Sequence, residues 1–220
     1  MKPVIVVTGM AREAQTLRAP GLPDLVVIPG GGDAQGLARR LEAELPGARA
    51  VLSYGMGGAL APGLALGDWV VGTHLCGALA TPCDPALMTL LAKALPAARR
   101  GPVYADGTMI AKAADKAALY ATHGALAVDM ESHIAARLAA AHGLPFAVVR
   151  CISDEAGHTL PPAITCAMRP DGGLNGGAMA LSILRQPGQI GGLVRMGGAM
   201  NRAMQSLREG GARIRDALLA

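Results

Sequence analysis

The chain has 220 residues, of which 51% are hydrophobic and 16% charged. That apolar share excludes a disordered chain, and a protein of this size buries about 70% of its unfolded surface, enough for a core without disulfides or a structural metal. The net charge of +4 invites nucleic acid, but aromatics at 2% provide no stacking platform and the basic residues outside the tail are scattered, so no nucleic-acid partner is expected.

Val4 to Thr8 is a β-branched run suited to a strand buried on both faces. It is too short and too branched for a signal segment, so a cytoplasmic location is expected. Mean hydropathy is +0.35, yet charge, Gly and Pro break every 18-residue window, which argues against a membrane span. Glu13 to Leu17 reads as a helical turn and Asp24 to Pro29 as a second strand, ended by Gly30-Gly31-Gly32-Asp33. Ala34 to Leu45 places Leu37, Leu41 and Leu45 on one helical face. Ala50 to Tyr54 is a strand closed by Gly55-Met56-Gly57-Gly58, and Asp68 to Thr73 another. Helices follow over Pro85 to Leu95, Asp115 to His123 and Ser132 to His142; strands over Val103 to Ile110, Ala125 to Val128 and Phe146 to Ser153. The alternation predicts an α/β domain with a largely parallel sheet flanked by helices. Residues 161–220 read as a Gly/Pro-punctuated helical extension packed on that core. Turns fall at Pro161-Pro162, Pro170-Asp171-Gly172-Gly173 and Asn175-Gly176-Gly177, a short helix at Met179 to Leu184, and a helix over Ile190 to Leu219 that three glycine pairs interrupt.

The four cysteines show no CxxC spacing and are expected as buried free thiols. His74, Cys76 and Cys83 lie close together but lack a fourth ligand, so no metal is expected. Gly55-Met56-Gly57-Gly58 is either a loop whose N–H groups cradle phosphate or a tight turn. It fails as a dinucleotide fingerprint, because Leu60 holds the third glycine position and no acidic residue follows about 20 residues on, so a nicotinamide-dependent oxidoreductase is set aside. Gly30-Gly31-Gly32-Asp33 is either a ligand loop or a turn with Asp33 as helix N-cap. Acidic residues also stand at two strand ends. Glu131 opens an Ala-rich helix, where it either caps the helix or faces a ligand. Asp154 closes the most hydrophobic strand, where it either forms a turn or, partly desolvated, stays protonated as a general acid.

Four stretches carry a resemblance: Val6-Val7-Thr8-Gly9-Met10-Ala11-Arg12-Glu13, Ser53 through Asp68, Val128-Asp129-Met130-Glu131-Ser132, and Pro145 through Asp154. In this order and spacing the chain resembles the purine nucleoside phosphorylase/nucleosidase superfamily over roughly residues 1–160, in the branch that includes methylthioadenosine/S-adenosylhomocysteine nucleosidases. The Gly30–Asp33 segment, the short chain, and the tail through Leu160-Pro161-Pro162, Arg169-Pro170-Asp171-Gly172 and Arg185 to Gln189 are most similar to the hopanoid-associated phosphorylases, which remove adenine from adenosylhopane.

The resemblance implies a single α/β domain with a mixed, largely parallel central sheet flanked by helices over residues 1–160, and cleavage of an N-glycosidic bond. Asp154 would hydrogen-bond or protonate the purine at N7. Glu131 would bind the ribose 2′- and 3′-hydroxyls, Met130 would pack on the ribose, and Met109 and Ser153 join them as substrate-binding residues. Glu13 matches the carboxylate that activates water in the nucleosidases. In a phosphorylase, inorganic phosphate is the co-substrate and Gly55, Met56, Gly57 and Gly58 would supply its backbone donors; no other cofactor is implied. Met56 stands where relatives often carry Ser or Thr, and Met109 where they often stack an aromatic. No Arg precedes the Gly55 segment in its strand, which leaves Arg12 as the candidate phosphate partner. The expected function is therefore phosphorolysis of adenosylhopane, with hydrolysis of a methylthioadenosine-like nucleoside as the alternative and a non-catalytic nucleoside- or lipid-binding protein as the rival class. A homodimer is implied. The Met-rich, Arg-bearing tail is either an apolar groove touching an anionic membrane surface or a helix docked on the core.

Overall fold

The computed structural model describes residues 2–18, 24–167 and 175–220. Strands β1 (Val4–Thr8), β2 (Leu25–Pro29), β3 (Ala50–Ala59), β4 (Trp69–Gly77), β5 (Thr81–Pro82), β6 (Arg99–Ala105), β7 (Ala127–Asp129) and β8 (Phe146–Asp154) form one mixed sheet. Helices α1 (Ala11–Leu17), α2 (Ala34–Glu44), α3 (Pro85–Ala94), α4 (Ala113–His123), α5 (Ser132–Ala141), α6 (Pro162–Ala167), α7 (Gly176–Arg185) and α8 (Ile190–Leu219) flank it.

The pairings close a ring. β3 pairs with β8 in parallel, β8 with β4 antiparallel, β4 with β6 and β6 with β7 in parallel, and β7 returns antiparallel to β3. β1 and β2 extend the sheet from the first half of β3, in parallel. β3 serves both parts because it changes neighbour along its length, from β1 at Ala50–Ser53 to β7 at Gly58 and Ala59. The apolar runs Val4–Val7 and Phe146–Ile152 are buried without alternation, as strands covered on both faces should be. β1, β2, β3 and β8 run parallel to one another, so their C-terminal ends open on one side of the sheet, the place where open α/β sheets present ligand groups.

The structure departs from the sequence reading in places that matter. Gly55-Met56-Gly57-Gly58 is neither loop nor turn: β3 runs through it, in register with Arg150 to Asp154 of β8. The glycine pairs do not break the last helix, which is continuous for 30 residues. The strand expected over Val103 to Ile110 is shifted back to Arg99–Ala105, and residues 106–112 connect it to α4. Cys83 and Cys151 are buried thiols and Cys76 half-buried, but Cys166 is exposed. The expected turn at Pro170 to Gly173 and the Arg169–Gly172 motif lie outside the described residues. No described helix is long and apolar enough to cross a membrane.

Candidate active site

Glu13 is the third residue of α1 and its carboxylate turns back into the protein. Oε2 accepts from Met10 N–H at 2.9 Å, the acidic half of a capping box, and Oε1 accepts from Met56 N–H at 3.0 Å. The side chain is buried, and that desolvation raises its pKa above the usual carboxylate value, against the lowering effect of these backbone donors and of Arg150. The N–H of Met56, expected to serve phosphate, is therefore already engaged.

Glu131 faces Glu13 across Gly9. A Cβ on Gly9 would lie 3.3 Å from Glu13 Oε2 and 3.4 Å from Glu131 Oε2, so the bare glycine backbone is what lets the two carboxylates approach. Gly30 does the same at the end of β2, where a Cβ would meet Glu131 Cγ at 3.1 Å. The segment holding Gly30 is a turn whose Asp33 caps α2, accepting from Gly36 N–H at 2.8 Å. Glu131 makes no capping bond to α5. Asp129 takes that task, with Oδ1 accepting from Glu131 N–H at 2.9 Å and Ser132 N–H at 2.7 Å. Glu131 is left facing the site with its pKa pushed up to about 7, by burial first, then by the charges of Asp129 and Glu13, with Arg150 opposing.

Arg150 lies beneath these carboxylates, opposite Gly55 in the β3–β8 register and 2% exposed. Its Nε is 3.0 Å from Asp129 Oδ2, and its Nη2 donates to Ser53 Oγ at 2.6 Å and Ser132 Oγ at 2.8 Å. This buried network fixes β3, β7, β8 and the start of α5 against one another. Arg150 puts a positive charge below the site, with Nη1 donating to Val149 O and Nη2 to the two serines. Arg12 itself is exposed on α1 and lines a cavity of about 520 Å³ with Thr16, Met204 and Arg208, whose lining includes neither Glu13 nor the Gly55–Gly58 segment.

Asp154 ends β8 some residues along the same sheet face, beside Gly58, whose Cβ would lie 3.0 Å from Oδ2. Its surroundings are polar, where the sequence of the strand suggested an apolar pocket. Lys116 Nζ donates to Oδ2 at 2.5 Å, and Ser153 Oγ donates to Oδ1 at 2.8 Å. Ser153 Oγ also lies 3.2 Å from Gly57 O, so it ties Asp154 to β3. Met56 is half-buried within β3, Met130 half-buried between β7 and α5, and Met109 half-buried in the 106–112 connection.

The structure thus brings Glu13, Glu131, the Gly55–Gly58 segment, Ser153 and Asp154 to one end of the sheet, and leaves Arg12 on the outer side of α1. Two residues escaped the sequence reading. Arg150 carried a signal, since a charged residue inside FAVVRCIS requires a partner. Lys116 carried a weaker one: it stands three residues after Ala113 and three before Leu119, on the inward face of α4. Among the described residues no group of three or more His, Cys, Asp or Glu is placed to hold a metal ion.

Residues 30–164 match the family model of the phosphorylase superfamily. No curated protein matches the sequence. Solved structures similar to this one include the 5′-methylthioadenosine/S-adenosylhomocysteine nucleosidase of Neisseria meningitidis in complex with methylthio-immucillin-A, at a TM-score of 0.68 and 17% identity, covering 97% of this chain and 98% of that one. A Helicobacter pylori nucleosidase variant with 5′-methylthioadenosine in its active site has a TM-score of 0.67 and 14% identity, covering 99% and 98%. Futalosine hydrolase of Helicobacter pylori has a TM-score of 0.61 and 16% identity, covering 84% and 98%. At these identities the likeness is one of fold.

Proposed function

The chain belongs to the phosphorylase superfamily, and from that premise we propose that it cleaves the N-glycosidic bond of an adenine nucleoside, with water as the nucleophile. The observation that carries this reading is the pairing of Glu13 and Glu131 across Gly9, with Asp154 set apart beside Gly58. The two carboxylates give the sugar end of the site negative charge, which suits a ribosyl group turning into an oxocarbenium-like cation. Glu131 accepts the ribose hydroxyls and holds C1′ in place. Glu13, buried and with a raised pKa, takes a proton from the attacking water. The water oxygen bonds to C1′ as the C1′–N9 bond breaks and the bonding pair leaves with adenine; N7 takes up a proton from solvent, matching the one that Glu13 later releases to solvent, and the Asp154 carboxylate accepts a hydrogen bond from that N7–H. Engagement of Met56 N–H by Glu13 favours water over phosphate, because it removes a donor from the segment that phosphate would use.

A second reading, phosphorolysis of adenosylhopane, draws support from the tail. Leu181, Leu184, Ile190 and Val194 are exposed on α7 and the start of α8, an apolar face suited to a polycycle carried on the sugar or to the membrane that holds it. The deciding experiment measures adenine release from methylthioadenosine and from adenosylhopane, each with and without phosphate, and identifies the sugar product. Hydrolysis gives free methylthioribose or ribosylhopane at a rate independent of phosphate. A phosphorylated sugar formed only when phosphate is present would overturn the role given to Glu13 and establish the phosphorylase.

A further inference from the structure

Lys116 is the one buried residue of α4, and its side chain is wholly inaccessible to solvent. Lysine is almost never fully buried unless it is paired. Here all three ammonium hydrogens have acceptors: Asp154 Oδ2 at 2.5 Å, and the carbonyl oxygens of Glu155 and His158 at 3.0 Å each. One side chain from α4 therefore holds both the end of β8 and the connection that leaves it. A purely structural need would be met at lower cost by an apolar residue, since burying an ion pair gains little over well-packed hydrophobic side chains of similar volume. The pair also has an open side. Asp154 retains 17% of its side-chain exposure while Lys116 retains none, so the carboxylate reaches the site and the ammonium stands behind it.

We propose that Lys116 is a positioning residue for departure of the base. It acts through Asp154 and rests on the reading of Asp154 as the base-side group. The leaving base gathers the electron pair of the broken bond, and a lone carboxylate at its edge would repel that charge. With Lys116 behind it, the base end carries no net charge, while Glu13 and Glu131 leave the sugar end negative. The site is then polarised as the transition state is, cation-stabilising at the sugar and non-repelling at the base. Lys116 also fixes the rotamer of Asp154: Oδ2 is held by the ammonium and Oδ1 by Ser153, so the edge offered to N7 is set before substrate arrives.

The test is a double-mutant cycle on adenine release, using Lys116→Met, Asp154→Asn and the double variant, with Lys116→Arg as the charge-retaining control and thermal melts to verify folding. Lys116→Met is expected to lower kcat by roughly 10²-fold with KM changed less than about threefold, because the loss falls on the transition state. That loss should vanish in the Asp154→Asn background, and Lys116→Arg should recover most of it. Should Lys116→Met fail to fold, Lys116→Gln carries the comparison, keeping a hydrogen bond to Asp154 without the charge. A parental kcat in the folded charge-free variant, or a loss that multiplies in full with that of Asp154→Asn, overturns the proposal. Asp154→Asn at the parental rate overturns instead the base-side assignment of Asp154. Calorimetric titration with adenine gives a second, activity-independent arm. Lys116→Met should weaken adenine binding about tenfold only where Asp154 is present, and a parent that neither binds adenine nor releases it overturns the nucleoside reading together with this one.

Discussion

Glu131 joins the chemistry of the site to the stability of the fold. Its raised pKa, about 7 against the ordinary 4.5, means that the folded protein holds this proton more tightly than the unfolded chain does. The contribution to stability is fully present below the unfolded value and is lost as pH rises from about 4.5 through about 7, after which it stays level. Glu13 is shifted in the same direction, also by burial. Glu131→Gln should therefore unfold like the parent at pH 4 and be more stable at pH 8, by up to about 3 kcal/mol. Urea unfolding at the two pH values reads this directly; a variant less stable than the parent at pH 8 would mean that Glu131 is stabilised by its surroundings. The same ionisation governs binding, since only the carboxylate accepts both ribose hydroxyls. In the parent, kcat/KM should rise through about pH 7, and Glu131→Gln should lower it and remove that rise. Glu131 and Asp154 were legible in the sequence as acidic residues at strand ends, and Glu13 only through the family resemblance. Their partners were not. Arg150 meets Asp129 only because β3 pairs with both β7 and β8, and Lys116 meets Asp154 only where α4 reaches the end of β8; no local pattern encodes either.

Elements were legible wherever side chains declared a period, and misread wherever glycine removed the side chain. In β3 the glycines mark close approach within a strand. A Cβ on Gly55 would lie 2.7 Å from Glu13 Oε2, and one on Gly57 2.8 Å from Val128 O and 3.2 Å from the Arg150 side chain. The strand keeps its pairing and gives up its own side chains so that the site's side chains can cross it. In α8 the two kinds of glycine pair differ. Gly210 and Gly211 lie where the helix presses on the core: a Cβ on Gly210 would collide with the Trp69 ring, and one on Gly211 would meet Tyr54 Oη at 2.5 Å. Gly197 and Gly198 have nothing within 4 Å. Opposite outcomes follow. Gly197→Ala should stabilise by about 0.5–1 kcal/mol, the helix-propensity difference. Gly210→Ala should destabilise by about 1–3 kcal/mol despite the same propensity gain, because overpacking outweighs it. Chemical unfolding of both variants measures the difference; a stabilised Gly210→Ala would show that α8 is free to move away from Trp69.

At the scale of the whole molecule, the two halves of the last helix have different surroundings. Ala203, Met204, Leu207, Ile214 and Leu218 are buried against the core, and Tyr54 Oη donates to Leu207 O at 2.8 Å. Upstream, α7 buries none of its residues, and four of the five large hydrophobic side chains exposed among the described residues fall between Leu181 and Val194. Exposed apolar faces of this kind carry no folding energy, so their value lies in what they contact. A net charge of +4 favours an anionic surface. The double substitution Leu184→Gln with Val194→Gln should leave the melting temperature within about 1 °C of the parent, since exposed changes away from the core rarely exceed about 0.5 kcal/mol. It should abolish co-sedimentation with vesicles containing anionic lipid and leave turnover of water-soluble methylthioadenosine unchanged. Vesicle binding unaffected by both substitutions would remove the membrane role from this face, and a lowered melting temperature would show that α7 is packed in solution against a surface of the protein itself.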